Sequence, residues 1–458
     1  MKYFSLSQSS EYAIGQERSL MRTNTLLPAI LALSALFAGH AAAASLEDTV
    51  RETITTNPDV LIIGSQRDSI EQEMEQARAG FFPQVDLTVG TGWEYNDTPA
   101  TRAGGHGSRN FNRDESDILI RQLLYDGHGT ESEFERQRAR TNARAFETFS
   151  TAEVIALKTS EVYFDVIREQ KLVELAIKNL DNHQKTYDRI VKRARSGVGR
   201  RADTQQALGR LALAKTNLMA EENRLDDAIS AFINVVGSEP ADLTDPISRD
   251  YLIPASLDEA TEIALDNHPR LKSADAEIDA AREQYNAAKS VFYPRVHVEI
   301  QGTHNENQDG IPGQNDQAAV MLRGRYNLTG GKDMARRHET VYQIDEAREI
   351  RDRTRRQVIE SIQLSWNAYE TAKSQIEFFQ IHVDASKQAL LAYRKQFNLG
   401  QRTLIDLLDQ ENEVFQANIN LVNGLNDLSF STYRILAGTG KLLWAMEVPL
   451  PEQASNIQ

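Results

Sequence analysis

The sequence predicts a mainly α fold with a small β part, in which long antiparallel coiled-coil helices carry four strands. Three observations predict it. The chain repeats itself, two long stretches lack both proline and glycine, and segments of period-two hydrophobicity separate the helical ones. Ser45 to Leu87 lies on Ser256 to Val298 without a gap at an offset of 211, with Ser45/Ser256, Leu46/Leu257, Pro58/Pro269, Ala77/Ala288, Phe81/Phe292, Pro83/Pro294 and Val85/Val296 identical. A second register, at an offset of 203, pairs Gly127 with Gly330, Tyr163 with Trp366, Gly197 with Gly400 and Asp203 with Asp406. The eight extra residues of the first half fall between the registers, in Asn96 to Glu115 against Asn305 to Gln317. Length tolerance of that kind marks an exposed loop. A duplicated helix–hairpin–helix unit points to a pore or scaffold before an enzyme.

The N-terminus reads as an export signal. Met21-Arg22-Thr23 is a short basic segment, Leu26 to Gly39 an apolar core, and Ala42-Ala43-Ala44 a small-residue cleavage site. The first 20 residues are polar, so Met21 is the expected start. An uncleaved membrane anchor is the alternative. The organisation expected is a signal region over 1–44, a first repeat over 45–240, a linker over 241–255, a second repeat over 256–440 and a tail over 441–458.

Ser45 and Ser256 are N-caps ahead of Leu-Glu-Asp and Leu-Asp-Glu, with acids in the first turn. Short helices follow, broken at Asn57-Pro58 and His268-Pro269. Second helices run from about Asp59 to Gly80 and from Arg270 to Val291. Phe81-Phe82-Pro83 and Phe292-Tyr293-Pro294 end them, and hairpins are expected over 84–126 and 295–329. Val85, Leu87 and Val89 share a face with Trp93 and Tyr95, as do Val296, Val298 and Ile300 in the copy. The return strands carry Leu119, Leu123 and Tyr125, then Val320, Leu322, Tyr326 and Leu328. Asp86, Arg121, His297, Glu299 and Arg323 sit between the apolar positions.

Two readings of these strands compete. They cover a soluble core, or they are barrel strands with one face on lipid and the other on water. Four strands cannot close a barrel, since the smallest have about eight. An open edge in lipid is forbidden, so membrane strands would require several chains to share one barrel.

Long helices over 130–196 and 332–399 would each be roughly 100 Å long at 1.5 Å per residue. Val162, Val166, Val173, Ala176, Leu180, Tyr187, Ile190 and Ala194 recur in steps of three and four, the spacing of a coiled coil, with Glu169 and His183 interrupting. Gly197-Val198-Gly199 and Leu399-Gly400 turn these helices back into helices over 201–237 and 403–437. A plain coiled-coil rod is the competing reading.

Composition narrows the function. The formal charge is −15, and removal of residues 1–44, which carry a net +1, leaves −16. A strongly acidic exported chain is a poor match for nucleic acid. There is no cysteine, hence no disulfide and no lipid-modified cysteine. The nine histidines form no H-E-x-x-H pair, and G-x-S-x-G and phosphate-loop patterns are missing. Gly104-Gly105-His106-Gly107-Ser108 reads as a flexible loop tip. No catalytic constellation, metal site or cofactor is expected.

An export signal, a duplicated helix–hairpin–helix unit, F-x-P joints and two glycine-terminated long helices resemble the TolC-like outer-membrane channel family over residues 45 to 440. The most specific local match is Phe397-Asn398-Leu399-Gly400-Gln401-Arg402-Thr403-Leu404-Ile405-Asp406-Leu407-Leu408-Asp409, similar to the helix–turn–helix at that family's periplasmic tip. The resemblance implies a homotrimer in the outer membrane of a Gram-negative bacterium. Its three chains form one 12-stranded barrel in outer-membrane lipid. The helices continue it as a periplasmic tunnel, nearly closed at its far end. A periplasmic adaptor protein would dock at the turns holding Gly197, Gly199 and Gly400, with an inner-membrane transporter of the ABC type behind it. Type I protein secretion is the expected role. Multidrug efflux and a soluble periplasmic or surface scaffold or adhesin are the alternatives.

The resemblance also implies a gate. Asp406 and Asp409 lie three apart on one helix face, with Glu413 near the same stripe. Three-fold symmetry would make rings of carboxylates that attract cations and whose crowding raises their pKa values. As plain sequence, the same acids also fit a solvated face or helix N-terminal dipole partners. By resemblance Arg402 would tie the inner hairpin to the outer one at Asp203. The family's best-known gate has a tyrosine where this chain has Phe397, so the hydroxyl tie is missing and the gate is expected to be looser or to lean more on Arg402.

Overall fold

A computed structural model describes residues 45–103, 109–328 and 330–457. The export signal expected over 1–44 and the loop tip Gly104 to Ser108 lie outside the described residues. In chain order the elements are α1 (Leu46–Thr56), α2 (Pro58–Ala79), β1 (Gln84–Asn96), α3 (Pro99–Ala103), β2 (Arg109–Tyr125), α4 (Gly129–Arg195), α5 (Arg201–Val236), α6 (Leu257–Asn267), α7 (Pro269–Ser290), β3 (Arg295–Glu306), β4 (Gln314–Arg325), α8 (Gly331–Asn398) and α9 (Leu404–Gly438), then two one-turn helices, α10 (Leu442–Ala445) and α11 (Glu452–Ser455).

Each half opens on the same capping chemistry. Ser45 Oγ accepts from the Asp48 amide at 3.1 Å, and Ser256 Oγ from the Glu259 amide at 3.2 Å. Pro58 and Pro269 then occupy the first turn of a new helix, where a missing N–H costs nothing. Asn57 Oδ1 caps α2 by accepting from the Asp59 amide at 2.9 Å. His268 Nδ1 does the same for the Arg270 amide at 3.2 Å. That nitrogen must be unprotonated to accept. Burial, and then Arg270, holds His268 down at a pKa of about 4.

The strands form one antiparallel sheet in the order β1-β2-β3-β4. Register assigns its faces. Val85 pairs with Ile120, Ile120 with Ile300, and Ile300 with Val320; Leu87 pairs with Ile118, and Val298 with Leu322. These make an oily face. Asp86, Leu119 and Gln301 lie in register on the other face, where Glu299 is shared by Arg121, at 3.3 Å, and Arg323. Register corrects the sequence expectation for β2. Its oily positions are Ile118 and Ile120, and Leu119 and Leu123 fall on the polar face. A bulge between Leu123 and Tyr125 returns Tyr125 to the oily side beside Val296, because one inserted residue shifts the period-two alternation.

Helix α4 starts where Asp126 accepts from the Gly129 and Thr130 amides, both at 2.9 Å. It packs against α2, α5, α7 and α9, whereas the partners of α8 are α6, α7 and α9 of its own half. The main core surrounds the middle of α4. Tyr163, Phe164 and Val166 meet Val50 of α1, Phe232 of α5, Tyr433 of α9 and Leu442. The stretches expected as linker and tail belong to this belt. Tyr163 Oη donates to Thr244 O at 2.8 Å, and Arg249 is buried against Glu47 and the Ala445 carbonyl. A smaller core joins Ala260, Ala264, Leu271, Val358 and Ile362, with Trp366 at its margin. No helix among the described residues is long and apolar enough to cross a membrane.

Candidate functional site

The two helical hairpins end in turns of the same construction. Gly197 has φ +80° and Gly400 φ +75°. In the first, the Val198 amide donates to Arg193 O at 3.1 Å; in the second, the Gln401 amide donates to Gln396 O at 2.9 Å. This is a Schellman closure, with the left-handed position that favours glycine. At Gly199 an added Cβ would sit 2.9 Å from the Ala194 backbone nitrogen, so glycine is required there by space.

The starts of the next helices differ. Thr403 caps α9, and its Oγ1 accepts from the Asp406 amide at 3.3 Å. The Asp406 carboxylate accepts from the Thr403 amide at 3.2 Å and the Thr403 hydroxyl at 2.8 Å. Asp406 is thus folded back on its own helix terminus. The Thr403 hydrogen bonds hold its carboxyl below the usual range, the reverse of what ring crowding alone would do. Its repeat counterpart Asp203 follows Arg200, which supplies no side-chain cap.

The two tips touch through a small apolar cluster in which Ile190 and Ala207 meet Leu404 and Leu408, with Phe397 packed against it. Arg193 lies 5.3 Å over the Phe397 ring, so the phenylalanine contributes a cation–π face where a hydroxyl is lacking. Arg402 does not pair with Asp203 within the chain. It stacks 4.0 Å over Tyr393, donates to Gln396 Oε1 at 3.0 Å and sits 4.0 Å from Asp406, all within its own hairpin. The carboxylate tie between hairpins falls instead to Asp409, which pairs with Arg210 of α5.

Above the tips lies a buried polar seam. His183 and Glu411, which are 4% and 3% exposed in their side chains, face each other at 3.7 Å, and Arg394 donates to Glu411 at 3.2 Å. Burial pushes the Glu411 carboxyl up and the His183 imidazole down. Sequence reasoning noted His183 only as a break in the heptads. A buried partner more than two hundred residues away leaves no local trace.

At the opposite end, β1 and β4 each keep one edge without a strand partner among the described residues. Val320 and Leu322 of β4 are 75% and 69% exposed, and Leu87 and Val89 of β1 both 71%. Trp93 and Tyr95 are exposed near the loop end of the sheet. Phe82, Tyr125, Tyr293 and Tyr326 are exposed near the helix end, a second set that sequence pattern alone does not group. An apolar band between two sets of aromatics is the pattern of a barrel wall in a bilayer.

Residues 49–238 and 260–440 match the model of a family described as outer membrane efflux protein, one segment per repeat. Among curated relatives, the outer membrane efflux protein BepC of Brucella suis biovar 1 is 26% identical over 71% of this chain and 72% of its own length. The alkaline protease secretion protein AprF of Pseudomonas aeruginosa is 21% identical over 87% of this chain and 84% of its own. Among solved structures, the CmeC outer membrane channel of Campylobacter jejuni superposes with a TM-score of 0.76 at 12% identity, over 87% of this chain and 86% of that one.

Proposed function

The chain belongs to the outer membrane efflux protein family, and on that premise we propose that it is the exit duct of a tripartite export machine. Its helices form the periplasmic extension of an outer-membrane channel. Members of the family form trimeric channels that work with adaptor and inner-membrane transporter proteins. The observation that carries the reading is the pair of open edges on an oily sheet, which lipid does not tolerate. Three copies, each offering β4 and α8 to the β1 side of the next, close one barrel and leave no edge. Outer-membrane lipid then covers Val85, Leu87, Val320 and Leu322, while Arg121, Glu299 and Arg323 face water.

At the far end the tips act as the gate. Three copies of the Asp409–Arg210 pair and of the Ile190, Ala207, Leu404 and Leu408 contact hold the inner hairpin against the outer one. Each exposed pair contributes about 0–1 kcal/mol, so release of several together is within reach of a docking partner. Asp406 and, once the tie to Arg210 is released, Asp409 supply the carboxylate rings that prefer cations, and Arg402 and Asp203 become partners between protomers. The turns at Gly197, Gly199 and Gly400 present the adaptor-docking apex. Asp406→Asn with Asp409→Asn should weaken cation preference in planar bilayers; unchanged selectivity rejects the rings.

Cargo is protein, delivered by an ABC-type transporter. The two protease-secretion relatives, AprF and PrtF, each matching 87% of this chain, support that choice, whereas the higher identity to BepC favours small-molecule efflux as the second reading. A strain lacking the chain should lose large proteins from its culture medium with drug susceptibility unchanged. The opposite pattern assigns efflux.

A further inference from the structure

The end of α9 abuts the start of α7, where a Cβ added to Gly440 would sit 2.9 Å from Pro269 Cδ. Beside this joint, between α4 and α8, lies a cleft of about 270 Å³. Leu157, Val358 and Ala437 give it an apolar wall. It opens into a larger groove of about 1070 Å³ along α4, α7 and α8. Ser150, Arg270 and Gln357 line both spaces, which places them at the mouth of the cleft; Arg434 lines the cleft alone, deeper in. All of these walls belong to one chain, so the site is complete without a neighbouring copy.

Charge in the cleft is one-sided. Neither Arg270 nor Arg434 has a carboxylate within 4.0 Å or a side-chain hydrogen bond among the described residues. Glu153 stands in the wall but is already engaged, accepting from the Leu442 and Leu443 amides, both at 3.1 Å. Burial pushes its carboxyl up to about 8, so it holds its proton at neutral pH. His268 lines the same wall as a neutral ring, since burial and Arg270 hold it down at about 4. Ser150 is 7% exposed, and its hydroxyl has no hydrogen-bond partner among the described residues. The groove outside is mixed, with Arg136, Arg140 and Arg144 among Glu147, Glu277 and Glu346, so the unbalanced positive charge is confined to the cleft. A half-enclosed cation without a counter-ion attracts an anion more strongly than the same cation in open water.

We propose that this cleft binds a small, rigid organic dianion, with one acid group on Arg270, Gln357 and Ser150 at the mouth and the other on Arg434 within. The stretch of α8 that lines it, Gln357 to Ser365, is about 12 Å long at 1.5 Å per residue. That length suits two acid groups held apart by a flat ring system lying on the apolar wall. A monoanion leaves one guanidinium unpaired, and a neutral molecule leaves both. An occupant ties α7 to α9 across a joint where the chain only abuts them. The site goes beyond the exit-duct reading and holds for either cargo.

The test is equilibrium dialysis of the full-length protein in a neutral maltoside detergent against naphthalene-2,6-disulfonate, naphthalene-2-sulfonate and naphthalene-2,6-dimethanol. The disulfonate should bind saturably, one molecule per chain, about ten-fold tighter than the monosulfonate, with the dimethanol weaker still. Arg434→Gln should erase the preference for the disulfonate over the monosulfonate, and Ser150→Ala should weaken the disulfonate a few-fold. Equal binding of the two sulfonates to the wild-type protein overturns the dianion assignment. A disulfonate preference that survives both Arg434→Gln and Arg270→Gln overturns the location. No saturable binding to the folded protein overturns the site itself. Should Arg434→Gln fail to fold, Arg270→Gln at the exposed mouth and the wild-type ranking decide. A protein that runs as a soluble monomer would sink the exit-duct reading and leave this test intact, because every wall of the cleft is the chain's own.

Discussion

Helices α4 and α8 are copies of one another and live in different places. Helix α4 buries 25 of its 67 residues, and α8 buries 10 of its 68. The strands divide within each half, with β2 and β3 paired on both sides and β1 and β4 on one. A duplicated unit therefore supplies both an interior and an edge. What an isolated chain leaves bare on α8 and β4 measures what its neighbour must cover.

The largest effect that sharpens this contrast is at the edge strand. Leu322→Arg puts a charge on the oily face, at about 2–4 kcal/mol per chain near mid-bilayer. Loss of the heat-modifiable oligomer is expected, and a normal oligomer would mean that this face does not meet lipid. Next come the repeat-related aromatics. Tyr163→Ala, in the main core, should cost about 3–5 kcal/mol, and Trp366→Ala clearly less in a monomer. Equal losses in urea titrations of the oligomer would mean that a neighbouring copy buries Trp366, which makes the two halves alike once assembled. Removing Arg394 strands the buried Glu411 carboxylate, so Arg394→Ala should cost about 3 kcal/mol, whereas Asp409→Asn at the exposed tie should cost under about 1 kcal/mol. Both are readable as unfolding midpoints, and the second should instead raise the frequency of channel opening.

A pH experiment separates the halves at their caps. Unfolded His268 takes up a proton near pH 6.5, while folded His268 resists until about 4. Its contribution therefore falls as pH drops from about 6.5 to about 4. His268→Asn, which copies the Asn57 cap, should flatten that slope. A slope identical to wild type would show that the acid sensitivity lies elsewhere.

Much of the fold was legible because its signals are local and doubled. The caps at Ser45 and Ser256, the proline breaks, the glycine turns and the proline-free helices each announce themselves twice. The face of β2 was not, since Leu119, Ile120 and Leu123 are all apolar and only register chooses among them. Within one chain Arg402 meets acceptors other than Asp203 for a related reason. Its nearest acceptors, Gln396 and Asp406, are on its own hairpin, and a side chain takes a preformed local partner before a distant one. Thr403 and Asp406 did carry a readable sign, the capping-box spacing, which the ring interpretation overlooked. Arg210–Asp409 and His183–Glu411 join residues about two hundred positions apart, where sequence spacing carries no information.

The two closing turns share their backbone and differ at the residue that opens the next helix, Arg200 in one and Thr403 in the other. Had the unit stayed a single-repeat gene, every pillar of the assembled tube would be identical by symmetry, and no mutation could alter one without altering all. Fusion into one polypeptide lifts that constraint. Adjacent hairpins evolve separately, so one opens its second helix on a capping box while its sibling opens on an arginine that caps nothing.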